Sequence, residues 1–175
     1  MEVRAAPGAT LGRLWLGARA FDCALGRAGL VSDKREGDGG TPIGRFALRE
    51  VRYRPDRLAR PHSGLDVVPL TPDQGWCDAP SDPAYNRLVK LPHGAGAETL
   101  WREDGLYDLL AVIGHNDDPP QSGAGSAIFL HVAREPGDGG ARFAPTQGCV
   151  ALALADLVEV LALCDPKAVI DIGPI

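Results

Sequence analysis

A chain of 175 residues, 45% hydrophobic and 23% charged, is long enough to bury a core as one domain without disulfide or metal staples. Its net charge of −5 argues against a nucleic-acid or anionic-membrane partner, and no apolar run approaches the roughly 18 residues of a membrane span. Glu2 stands where a signal peptide needs basic charge, and Arg13 and Arg19 interrupt the apolar residues that follow. Read as a whole chain, the sequence predicts a cytoplasmic protein; read as a piece of a longer precursor, it allows a periplasmic one. Cys23, Cys77, Cys149 and Cys164 form no C-x-x-C pair, and no histidine lies at zinc-finger spacing from them. Neither a structural zinc site nor disulfides are expected, and no cofactor. Cys23 and Cys164 lie in apolar runs and read as buried small hydrophobes.

Leu14, Leu16, Phe21 and Cys23 alternate across residues 12–26 with Gly17 and Gly26 as punctuation, the pattern of a hairpin. Residues 33–40 are polar turn residues and predict a loop. Phe46, Leu48, Val51 and Tyr53 predict a strand over Gly44–Tyr53. The proline-rich stretch from Pro55 to Pro92 reads as a loop-rich excursion with short strands near Leu65–Leu70 and Arg87–Leu91. Trp76 and Tyr85 favour its packing on the body. Ala97–Leu100 suggests the start of a short helix, Leu106–Gly114 a buried strand, and Ser126–Val132 a further strand. Leu152–Leu163 has helical spacing and is stopped by Asp165-Pro166, and Ala168–Ile172 reads as a closing strand. One helix among many short strands predicts a mainly β fold, a sandwich or distorted barrel, in a single domain over residues 1–175.

The chemistry concentrates between His131 and Val150. His131 ends the apolar run Ser126–Leu130, a Gly/Pro/Asp-rich loop follows, and Thr146-Gln147-Gly148-Cys149 opens into Val150-Ala151-Leu152. A thiol beside glycine at a turn exit is expected to be exposed, with the following helix favouring thiolate through its dipole. If the loop folds back, His131 reaches it, which assembles a nucleophile, a base and amide donors for an oxyanion. The plainer alternatives are a buried structural cysteine and a half-buried strand histidine. His115, in the turn His115-Asn116-Asp117-Asp118, reads as a second imidazole, a substrate donor, or a turn residue whose neighbours cap the backbone. A metal site at Asp117 and Asp118 lacks further oxygen ligands. Arg45, Arg87 and Arg102 are candidates for holding a substrate carboxylate.

The run resembles the signature of the L,D-transpeptidase (YkuD-like) family: His, a loop, Ser/Thr-His-Gly-Cys, then an apolar residue. Thr146, Gly148, Cys149 and Val150 stand in register with it, and Gln147 departs, where many members carry a second histidine. Thr41-Pro42-Ile43-Gly44-Arg45-Phe46 is similar to a second family element, Thr-Pro-x-Gly-x-Phe, so the resemblance covers roughly residues 40–155. It implies a β-sandwich in which Cys149 is the nucleophile, His131 the base, and Gly148 with Cys149 the oxyanion donors. From their positions alone, Thr146 and Gln147 flanking the nucleophile, with His115 and Asn116, are the candidates to meet substrate. The implied substrate is a peptidoglycan stem peptide or muropeptide, acylating Cys149 with loss of a terminal D-alanine. Some members of the superfamily are cytoplasmic carboxypeptidases serving recycling, and with the predicted location this favours L,D-carboxypeptidase activity, tetrapeptide to tripeptide. The competing readings are transpeptidation or D-amino-acid exchange, and an inactive peptide-binding module. A papain-like or NlpC-type hydrolase is disfavoured because its cysteine precedes its histidine along the chain.

Overall fold

Alternation of apolar side chains makes most of this chain extended. The computed structural model describes residues 1–136 and 141–175. The first strands are β1 (Glu2–Ala5), β2 (Leu11–Leu16), β3 (Arg19–Ala24), β4 (Leu30–Val31), β5 (Thr41–Pro42) and β6 (Gly44–Tyr53). The excursion contributes β7 (Asp66–Pro69), β8 (Gln74–Cys77), β9 (Leu88–Lys90) and β10 (Ala97–Thr99). The remainder is β11 (Leu109–Ile113), β12 (Phe129–Val132), β13 (Val150–Leu152), α1 (Leu154–Ala162) and β14 (Val169–Pro174). The main sheet runs β11-β12-β13-β3-β2-β1-β14-β6-β7, and β11 also pairs with β6, which closes it into a barrel. The fold is mainly β with a single helix among the described residues, as expected. None of that structure is a helix long and apolar enough to cross a membrane.

Both faces of β11 are buried, and its alternation divides the core. Leu109, Ala111 and Ile113 face the barrel interior with Leu14, Leu130 and Val150, and Leu157, Val160 and Leu161 of α1 close that interior. Leu110 and Val112 face outward with Phe129, against Trp76, Leu100 and Tyr107. The small sheet β10-β8-β9 therefore roofs the outer face of β11 and β12. The Phe129 ring is its anchor, edge-on to Trp76 at 5.3 Å and to Tyr107 at 5.6 Å. Full burial of such a ring contributes roughly 1.5–3 kcal/mol.

Several elements differ from the sequence reading. Ala97–Thr99 is a strand, because Ala97 and Thr99 pair with Cys77 and Gly75 of β8, a partner that local spacing does not reveal. The helix starts at Leu154 because Val150–Leu152 are drawn into pairing with β12 and β3. β12 begins at Phe129, after Ala127 has left the extended region at φ 53°. Part of the loop predicted between His131 and Thr146, residues 137–140, lies outside the described residues.

Candidate active site

The turn Thr146–Cys149 is locked by hydroxyls from two distant segments. Thr146 Oγ1 donates to the Cys149 carbonyl at 2.7 Å and accepts the Gly148 N–H at 3.1 Å. Thr41 Oγ1, wholly buried, donates to the same carbonyl at 3.3 Å and accepts the Gly26 N–H at 2.8 Å. The Thr41-Pro42 and Thr146–Cys149 motifs thus meet at one backbone oxygen. Gly148 is required twice: its φ is +141°, and a Cβ there would stand 2.9 Å from the Gly40 carbonyl oxygen.

Val150 faces the barrel interior, so Cys149 faces the other way, into the outer core with Phe129 and Tyr107. Its thiol donates to the Ala127 carbonyl and accepts the Phe129 N–H, both at 3.3 Å. Only 7% of Cys149 is exposed, which corrects the expectation of an open thiol. β13 also separates Cys149 from α1, removing the helix dipole that was to favour thiolate, since that effect fades within one turn. Burial pushes the thiol pKa up to about 12, the Glu98 charge adds to this, and the Phe129 N–H opposes it.

Strand register sets His131 on the same face as this thiol. Leu130 pairs with Val150 and His131 with Ala151, so Cys149 and His131 share a face one strand and two residues apart. The His131 Nδ1 lies 2.8 Å from the Val132 carbonyl oxygen. A carbonyl only accepts, so Nδ1 carries the proton and Nε2 is the basic nitrogen. Tyr107 packs edge-on to the ring at 5.3 Å. Burial pushes the imidazole pKa down to about 4. Thiol and imidazole therefore both rest neutral at pH 7.

Both open on a cavity of about 660 Å³, whose walls include Thr146, Gln147, Glu98 and Arg102. Arg102 makes a fork to Asp104 at 2.9 and 2.6 Å and lies 3.6 Å from Glu98. Tyr107 donates to Glu98 at 2.6 Å, and Arg134 reaches Asp104 at 3.0 Å. The Arg102 fork holds Asp104 down to about 2, whereas burial raises Glu98. The wall nearest the cysteine and histidine is thus polar, cationic in part and anchored.

The family profile of the L,D-transpeptidase catalytic domain (YkuD) matches residues 12–172. The chain belongs to this family. No curated protein and no solved structure matches it significantly.

In this L,D-transpeptidase domain the residues singled out from sequence separate into two groups. Cys149, His131, Thr146, Gln147 and Arg102 line the cavity. Gly148 lies behind Cys149, and the N–H expected to serve an oxyanion is taken by Thr146. His115 and Asn116 are not on the cavity wall. His115 Nε2 lies 2.9 Å from the Ala124 carbonyl and its ring meets Phe46 edge-on at 5.4 Å. Asn116 accepts the Gln121 N–H at 2.7 Å and donates to the Gly125 carbonyl at 2.9 Å. Both shape the loop between β11 and β12. Arg45 and Arg87 are exposed elsewhere, and Asp117 pairs with Arg49 at 2.7 Å.

Sequence reasoning missed Asn86. It is buried at φ 57°, and its Oδ1 accepts the Trp76 indole N–H at 2.8 Å and the Ala127 N–H at 3.1 Å. Its Nδ2 donates to the carbonyls of His115 and Asn116 at 3.1 and 2.7 Å. One amide thus ties the roof to the residue whose carbonyl holds the Cys149 thiol. Asn86→Ala strands two buried donors and is expected to cost about 2–4 kcal/mol. Thermal or urea melts measure this, and a loss below about 0.5 kcal/mol, a surface-substitution value, contradicts it.

Proposed function

We propose that the protein is an L,D-carboxypeptidase working through a Cys149 thioester. Cys149 Sγ attacks the carbonyl of the diamino acid residue in a stem tetrapeptide, and its proton passes to His131 Nε2 as the C–S bond forms. The Cys149 N–H, on a turn already fixed by Thr41 and Thr146, meets the developing oxyanion. Collapse breaks the C–N bond, His131 returns the proton to the departing D-alanine amine, and the thioester remains. Water then gives a proton to His131 and attacks the thioester, releasing tripeptide and restoring the thiol. The observation that carries this reading is one cavity lined by both the Cys149 thiol and the His131 imidazole, placed by adjacent paired strands.

What favours water as the acceptor is that it needs no bound amine. Gln147, in place of a second histidine, offers no further titratable nitrogen. We place the reaction in the cytoplasm, on muropeptides returning from wall turnover. Tetrapeptide with excess D-methionine, followed by mass spectrometry, tests the acceptor. Tripeptide is expected to dominate; dominant D-methionine adducts, or a fusion reporter active in the periplasm, contradict the reading.

A further inference from the structure

The roof of the cavity holds a second constellation that acyl transfer does not use. Cys77 ends β8, Asp82 lies in the β8–β9 loop, and His93 follows β9. Cys77 Sγ, an Asp82 carboxylate oxygen and a His93 ring nitrogen all lie within 4.8 Å of one another. Local structure holds Cys77 and Asp82 in place. The Cys77 N–H donates to the Arg87 carbonyl and its carbonyl accepts the Asn86 N–H, both at 2.9 Å. Asp82 Oδ1 accepts the Ala84 N–H at 2.7 Å, which leaves Oδ2 facing His93 Nε2 at 3.4 Å. His93 Nε2 is itself buried and has no hydrogen-bond partner. A buried ring nitrogen left unpaired beside a thiol and a carboxylate calls for an explanation.

We propose that Cys77, Asp82 and His93 bind a zinc-class divalent cation. Bonds of about 2.0–2.3 Å around a tetrahedral ion place donors roughly 3.3–3.8 Å apart, so the Asp82–His93 spacing already fits and Cys77 closes by side-chain rotation. Mixed sulfur, nitrogen and oxygen donors select a borderline ion and exclude calcium and magnesium, which take oxygen. The Cys77 proton leaves to solvent as the metal binds, and water fills the fourth position. The ion joins the end of β8 to both flanks of β9. That staples the roof segment whose Trp76 and Asn86 hold Phe129 and Ala127 above Cys149. The three residues follow no zinc-finger spacing, which is why the sequence pattern pointed away from a metal.

The test uses the full chain carrying Cys149→Ala, so that the cavity thiol cannot ligate. Co²⁺ titration is expected to give one equivalent bound, with a thiolate-to-cobalt charge-transfer band. Zn²⁺ is expected to raise the melting temperature. Cys77→Ser should remove the band. His93→Gln and Asp82→Asn, at partly exposed positions, should each weaken binding by about 100-fold or more and abolish the Zn²⁺ shift. No charge-transfer band, or affinity unchanged in His93→Gln, overturns the proposal. Because His93→Gln removes no core volume, that second outcome is decisive even if Cys77→Ser fails to fold.

Discussion

Cys149→Ala is expected to abolish turnover, lowering kcat by roughly 10⁴–10⁶-fold, while the protein still folds. Among the described residues, Cys149 is the only thiol on the cavity wall. His131 has been placed as a base, and Gln147 neither titrates nor attacks. The substitution is not silent in the core, because Cys149 packs with Phe129 and Tyr107 and accepts the Phe129 N–H. Losing the sulfur and stranding that amide should cost about 1 kcal/mol, seen as a small fall in melting temperature. Cys23→Ser and Cys164→Ser lie in the barrel core and should lower stability while sparing catalysis. D-Alanine release and thermal melts on the same preparations check both halves. Surviving turnover in Cys149→Ala contradicts the assignment of the nucleophile.

His131→Ala should slow acylation by about 10²–10⁴-fold, and Gln147→Ala by far less. The pH dependence makes the role specific. The imidazole is pushed down to about 4 and the thiol up to about 12, so the reactive state is the neutral pair rather than a thiolate–imidazolium ion pair. Protonation of His131 removes the acceptor for the thiol proton. kcat/KM should therefore be level through neutral pH and fall as pH drops through about 4. The same state predicts that iodoacetamide labels Cys149 slowly at neutral pH, against the expectation of a reactive, low-pKa thiol raised by its turn position. An acidic limb near neutrality, or an equal loss in Gln147→Ala, contradicts this division of roles.

How far the sequence could reach depended on whether partners were local. β6 matches its predicted bounds, Gly44–Tyr53, because its apolar spacing and flanking glycine are self-contained. The β2–β3 hairpin was legible for the same reason. β8 was not, since Gly75 and the preceding Pro72-Asp73 look like a turn until β9 and β10 pair with the segment. β1 was equally silent, since its place depends on β14 at the other end of the chain. The site divides in the same way. Cys149 and His131 stand in motifs, whereas Asn86, Glu98 and Tyr107 come from separate segments that only the roof brings over them. Local chemistry also misled: a glycine turn implied an exposed thiol, and the roof covers it. His115 carried the attraction of any histidine beside an asparagine, yet its nitrogen is taken up by the loop it stiffens.

Acid-quenched mixtures of protein and tetrapeptide, analysed by intact-mass and peptide-mapping mass spectrometry, test the central claim most directly. The expected species is the protein plus the tripeptidyl acyl group, one D-alanine short of the substrate, mapped to Cys149 as an acid-stable thioester. It should accumulate before tripeptide appears, and it should be absent in Cys149→Ala. Tripeptide formed at full rate with no adduct on Cys149, or an adduct mapped to another residue, contradicts the account.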